Sequence, residues 1–221
     1  TLLLSGPAIL AQLASVLLQF IDASMVGSLG AAEAASIGLV STSTWLCGGF
    51  CIALAQGFSV QVAHRIGSCD YEGARNVLRQ GFFVVSCFSV LLSLAAMSVA
   101  GPLPRWLGGE EAIRGEASAY FFIYAAFLPV MQLGFYSATM LQCSGDMRTP
   151  GMLEVLMCLL DVVFNALLIF PTRRVSVLGI SFTVPGADLG VAGASLGTAL
   201  SVAVIALFMV GYLLLGSPML H

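Results

Sequence analysis

Two aspartates stand within long apolar runs: Asp22, after the charge-free stretch Leu2–Ile21, and Asp161, within Met152–Phe170. An ionisable group near mid-membrane costs roughly 2.5–3.5 kcal/mol on insertion scales, so it normally faces a bundle interior or a wet cavity. On a helix, Ser15, Gln19 and Asp22 share one face and form a polar stripe on an apolar span. A solvated place at the outer interface is the other reading of Asp22, and the apolar residues that continue to about Leu29 weigh against it. Asp161 has a richer setting. Glu154, Cys158, Asp161 and Asn165 are spaced 4, 3 and 4, within a narrow arc of one helix. Asp161 and Asn165 are one turn apart, a rise of about 6 Å. A carboxylate and an amide oxygen so stacked can hold a hard monovalent cation or a titrating proton. Helix–helix hydrogen bonding is the other use of such a pair. Glu154 reads as interfacial, and Thr198, by spacing alone, as a residue bonded to its own backbone.

These residues need helices that cross a membrane. Of 221 residues, 59% are hydrophobic and 9% charged, against about 25% charged in a soluble domain. All 8 basic residues are Arg and the net charge is -3, so the composition excludes an ordinary soluble enzyme, a nucleic-acid binder and a disordered chain. No nucleophile–base constellation, phosphate-cradling glycine loop or HExxH motif is present, so no enzyme and no cofactor are expected. The apolar runs are too long and continuous for an outer-membrane barrel. The first run is too long, lacks a basic flank and holds an Asp, unlike a signal peptide. The expected class is all-α, a polytopic membrane protein in contact with lipid.

Six spans are predicted, at roughly 5–28, 36–61, 81–103, 118–142, 152–170 and 190–215. The polar stretch Arg65–Arg79 is helix-capable and is expected at the membrane surface. Pro171–Asp188 reads as a longer loop, and Ser144–Pro150 as a short turn. Alternation of sides puts Arg65, Arg75, Arg79 and Arg148 opposite Arg105, Arg114, Arg173 and Arg174. Four against four leaves the orientation undecided by arginine bias. Pro7 and Pro129 are candidate kinks, and Pro7, on the Asp22 helix, is the candidate hinge. Gly193 and Gly197 form a small-xxx-small pair that permits close helix contact. The six cysteines contain no CxxC pair and read as small apolar fillers. The chain starts at Thr1 and ends directly after a span, which reads as a fragment.

Several segments resemble one family. PAILAQLASVLLQFIDASMVGSLG, with Pro7 fifteen residues before Asp22, resembles the first helix of the multidrug and toxic compound extrusion (MATE) transporters. Leu54–Gly81 is similar to that family's second helix and following loop, Leu141–Pro150 to its turn between helices four and five, and Gly190–Ser201 to the start of its helix six. The resemblance implies an antiporter that expels amphipathic, often cationic drugs or toxins in exchange for H⁺ or Na⁺. It implies that residues 1–221 form one six-helix lobe of a twelve-helix, two-lobe transporter, with the C-terminal lobe as its partner. It also implies an inner (plasma) membrane location with cytoplasmic termini.

Carried over residue by residue, Asp22 matches an acidic position that takes part in cation coupling. The family often has Asn followed four residues later by Asp, whereas here Asp161 precedes Asn165, so the ligand set is kept but permuted. Asp22, Asp161 and Asn165 are the places for Na⁺, and no other metal is expected. Thr198 matches a polar position near the same cavity. Gln19 and Tyr124 are candidates to line the substrate cavity. Two rival readings remain: a flippase for a lipid-linked precursor, which needs basic residues in the spans that this chain lacks, and a non-transporting scaffold or half-transporter, in which Asp22 and Asp161 share no cavity.

Overall fold

The computed structural model describes residues 2–177 and 180–215. Six long helices lie on the six apolar stretches: α1 (Leu2–Gly27), α2 (Ala31–Gly67), α3 (Tyr71–Val99), α5 (Glu111–Cys143), α6 (Arg148–Leu168) and α7 (Gly190–Leu215), with a short α4 (Leu103–Trp106) between α3 and α5. Five of them are long and apolar enough to cross a membrane, and α1 adds the shorter apolar stretch Ser15–Gly27. Pro7 falls within α1, but its side chain lies outside the described residues.

The polar stretch after the second span is not a separate surface helix. With 37 residues, α2 is about 55 Å long at 1.5 Å per residue, well beyond a hydrocarbon core of about 30 Å. Arg65 lies in the last turn of α2, which ends at Gly67, and Tyr71 starts α3 after a three-residue turn. Asp70 caps α3 by accepting from Gly73 N at 2.9 Å, and it takes a hydrogen bond from Arg65 Nη1 at 2.6 Å. The Gly73 amide and the Arg65 guanidinium hold the Asp70 carboxyl below the usual carboxylate range. Asp146 plays the same part before α6, accepting from Arg148 N at 3.2 Å and Thr149 N at 3.0 Å. Partial burial pushes its carboxyl up, and the bonds from Thr149, Tyr212 and Arg148 outweigh that, leaving it below the ordinary value.

The loop expected at Pro171–Asp188 is a hairpin. β1 (Pro171–Val177) pairs antiparallel with β2 (Ile180–Ala187), in the register Arg173↔Val184 to Val177↔Ile180. Runs sought at membrane length pass over strands of this size, although Val175, Val177, Ile180, Phe182 and Val184 carry the period-two signal of a half-buried strand.

Inside the bundle, α5 is the central helix and packs on α2, α3 and α7, while α1 packs chiefly on α6. Small residues set the spacing. A Cβ on Gly134 of α5 would stand 2.7 Å from the Ala206 Cβ of α7, so the helices approach to backbone distance there. Tyr136, fully buried, donates to Leu78 O at 2.9 Å and meets Phe58 and Phe82 edge-on.

Pro129 lies inside α5. Proline has no N–H, so it leaves the carbonyl of residue 125 without its helical donor. In lipid such a group must be satisfied by protein. Ser93 of α3, itself buried, does this by donating its Oγ hydrogen to Ala125 O at 2.7 Å. Ser93→Ala should therefore destabilise the bundle by about 1–3 kcal/mol, the cost of an orphaned buried acceptor. Ser98→Ala, at an exposed serine bonded only to Ala95 O of its own helix, should change it by less than about 0.5 kcal/mol. Thermal unfolding of the two variants in detergent checks the difference.

Candidate cation and substrate site

Three helices bring four of the sequence-predicted residues together. From α6 come Asp161 and Asn165, 0% and 1% exposed. From α1 comes Asp22, half-buried, and from α7 Thr198. Asn165 Nδ2 donates to Asp22 Oδ1 and to Asp161 Oδ2, at 3.0 Å each. One amide nitrogen thus links two carboxylates on different helices. Both of its N–H groups are used, which fixes which end of the amide faces the acids.

The other end of that amide is explained by glycine. Asn165 Oδ1 is buried with no hydrogen-bond partner. It lies against Gly197, where any Cβ would collide with it. Gly193, one turn earlier, lies against the Leu168 carbonyl in the same way. The two glycines let α7 settle onto the end of α6, and this close approach places Thr198 and Ser201 beside Asp161.

Ser201 was not among the sequence candidates. Its Oγ lies 3.1 Å from Asp161 Oδ1 and 2.8 Å from Thr198 O, and its single proton serves one of them at a time. The signal was present but weak: Ser201 follows Gly197 by four residues, so the two share a face. The Thr198 side chain also reaches the Asp161 carboxylate. Tyr120 is the tyrosine within electrostatic range of both Asp22 and Asp161. Tyr124, one turn later, instead donates to Thr44 O at 3.1 Å. Gln19 is exposed and takes no part in these bonds. Among the described residues the only ion pair is Arg65–Asp70, far from the cluster in sequence, and no basic side chain bonds to either carboxylate.

A second feature lies beside this cluster. A cavity of about 260 Å³ opens between α2, α5, α6 and α7, its wall including Cys51, Tyr124, Gln132, Glu154, Met157 and Met209. The sequence reads Glu154 as interfacial, and the structure adds that it lines this cavity. Because α6 begins at Arg148, Glu154 stands about 9 Å along the helix axis from its start, with its side chain on the cavity wall.

The chain and its fold have relatives among known proteins. A MatE family model matches residues 7–167. The chain belongs to the MatE family. It is 31% identical over 216 residues to the probable multidrug resistance protein NorM of Idiomarina loihiensis, covering 95% of this chain and 43% of that protein. It is 27% identical over 200 residues to the multidrug resistance protein MdtK of Yersinia pestis, covering 88% and 41%. Among solved structures, a MATE protein in its straight conformation superposes with a TM-score of 0.84 at 25% identity, covering 97% of this chain and 44% of that one. An outward-facing multidrug resistance MATE transporter of the MOP superfamily gives 0.83 at 24% identity. This MatE chain therefore spans less than half the length of the relatives it matches, and its helices form a multi-pass membrane unit.

Gly197 should be intolerant of any side chain. Gly197→Ala forces the Asn165 amide or α7 to move, and overpacking of this kind costs about 1–3 kcal/mol. Gly211→Ala, where the added methyl meets open space, should be neutral or stabilising by up to about 1 kcal/mol. A lowered melting temperature for Gly197→Ala and an unchanged or raised one for Gly211→Ala is the expected outcome.

Proposed function

We propose that the full-length protein is a secondary active antiporter that exports amphipathic, often cationic compounds in exchange for H⁺ or Na⁺. In this reading, residues 1–221 supply the N-terminal lobe that couples the two, with a C-terminal lobe as partner and both termini in the cytoplasm. The observation that carries it is the bridge from Asp22 through Asn165 to Asp161, made with no basic side chain. Two facing carboxylates at low dielectric repel strongly, and a proton or a monovalent cation relieves that repulsion. The relatives named as multidrug resistance proteins support the direction of transport.

The geometry suggests how arrival of a cation is felt. Asn165 presents its N–H groups to the acids while both accept hydrogen bonds. Rotating the amide by half a turn would offer Oδ1 in their place, which with the carboxylates and the Thr198 and Ser201 hydroxyls makes an all-oxygen set suited to Na⁺. Protonation acts on the same network by turning an acceptor into a donor. Either event changes the bond between α1 and α6, the helix on which α1 chiefly packs. A cationic substrate that needs the same negative charge then competes with the coupling ion, and the difference in affinity between the two states drives the exchange.

The flippase reading requires basic side chains for pyrophosphate, and the apolar spans hold none. The scaffold reading has no use for two carboxylates joined by one buried amide. The test is efflux of a cationic dye by the full-length protein in proteoliposomes under an imposed proton or sodium gradient. Asp22→Asn should lower gradient-driven efflux at least tenfold while the protein still inserts and binds dye. Undiminished efflux would remove Asp22 from the mechanism.

A further inference from the structure

Near the start of α3 stands a group of polar residues that the coupling cluster and the cavity leave unused. Arg75 and Arg79 are one turn apart, each followed by an amide side chain, Asn76 and Gln80. Asn76, Arg79 and Gln80 are exposed, and Arg75 is half-buried. The exposed face continues along the helix as Phe83, Val90, Leu91 and Leu94, with Phe83 70% and Leu91 67% exposed. Because α3 packs chiefly on α2 and α5, this apolar stripe is open to acyl chains.

Depth and charge both point to the phosphate layer of the membrane. A hydrocarbon core takes about 20 helical residues, and counting back from Val99, the end of α3, brings its edge to Gln80. The headgroup layer adds about 5–8 Å on each side. At 1.5 Å per residue, Arg79 stands about 1.5 Å and Arg75 about 7.5 Å beyond that edge, so the two arginines bracket the layer. Neither has an ion-pair partner among the described residues. Arg75 Nε is buried with no hydrogen-bond partner, so a half-buried guanidinium is left uncompensated, which is costly. Its Nη groups are the ones a ligand would meet. The nearby acids do not answer this charge. Asp70 is engaged by Arg65 and the Gly73 amide, and Glu72, exposed one turn before Asn76, sets a single negative charge against two positive ones.

We infer that Arg75 and Arg79 hold the phosphate of an anionic phospholipid of the phosphatidylglycerol type, with Asn76 and Gln80 donating to its oxygens and the acyl chains lying along Phe83 and Leu91. Guanidinium groups match phosphate oxygens with paired N–H donors. One phosphodiester with an uncharged headgroup cancels the remaining positive charge. Phosphatidylcholine and phosphatidylethanolamine bring a cation of their own and leave it in place. The antiporter reading decides only that this leaflet is the cytoplasmic one.

The test titrates the detergent-purified full-length protein with dioleoyl phosphatidylglycerol, phosphatidylcholine or phosphatidylethanolamine and measures the first bound lipid by native mass spectrometry. The wild type should bind phosphatidylglycerol at least fivefold more tightly than either zwitterion. Arg75→Gln and Arg79→Gln should each lower that affinity at least fivefold. Arg148→Gln, which removes an exposed arginine at the start of α6, should leave it within twofold. Glycerophosphoglycerol, the headgroup without chains, should not displace the lipid at a hundredfold excess. Equal affinity of the wild type for phosphatidylglycerol and either zwitterion overturns the assignment, and that comparison needs no variant to fold. Equal losses in Arg148→Gln and Arg79→Gln overturn it too, by showing a diffuse field of charge. Displacement by the free headgroup would make this a site for soluble phosphates instead. Efflux does not enter these measurements, so their failure leaves the coupling reading standing, and efflux unaffected by Asp22→Asn leaves the lipid site standing.

Discussion

The Asn165 carboxamide holds two acids together inside the membrane, and much of the architecture follows from the room it needs. Its nitrogen joins α6 to α1 through Asp22 and spans one turn of α6 to Asp161. Its oxygen occupies the space that a side chain at position 197 would fill. A larger residue there would push α7 away and take Ser201 from Asp161. The polar cluster and the glycine seam between α6 and α7 are thus one device. The seam is what lets a polar network sit where the chain is otherwise apolar.

Separation of charge is the second theme. Asp161 and Glu154 lie two turns apart on one face of α6, and the sequence alone presents them as a single acidic arc. Packing divides the arc. The inner end, Asp161 and Asn165, is closed over by α1 and α7, whereas the outer end, Glu154, faces a cavity walled by methionine and aromatic side chains. One helix therefore presents acids in two different environments, with different neighbours.

Much of this was legible in the sequence, for identifiable reasons. Apolar stretches of membrane length fixed where the long helices run, and the four-residue step from Asp161 to Asn165 fixed that these two share a face. The cost of burying charge picked out Asp22 as well. Other features depend on tertiary placement. Serines are frequent throughout the spans, so nothing local separates Ser201 from Ser195 until α7 is docked. Tyr120 and Tyr124 are one turn apart on one helix, and only the docking of the other helices decides which lies near the acids. That Glu154 lines a cavity could not be read from its place near the start of an apolar run, because α2, α5 and α7 supply the rest of the wall. The hairpin escaped because its strands are shorter than any window suited to a span.

The repair of α5 at its proline has a mechanical consequence. A proline in a membrane helix usually marks a place where the rod bends easily, since one rung of its ladder is missing. Here the missing rung is supplied from outside, by Ser93 of α3. Bending α5 at that level would have to pull the carbonyl off a neighbouring helix and leave both groups without partners in lipid. The joint is locked across two helices, so α3 and α5 should travel as one stiff plate. Compliance is then left to α1, which is held mainly by α6 and carries one of the two acids.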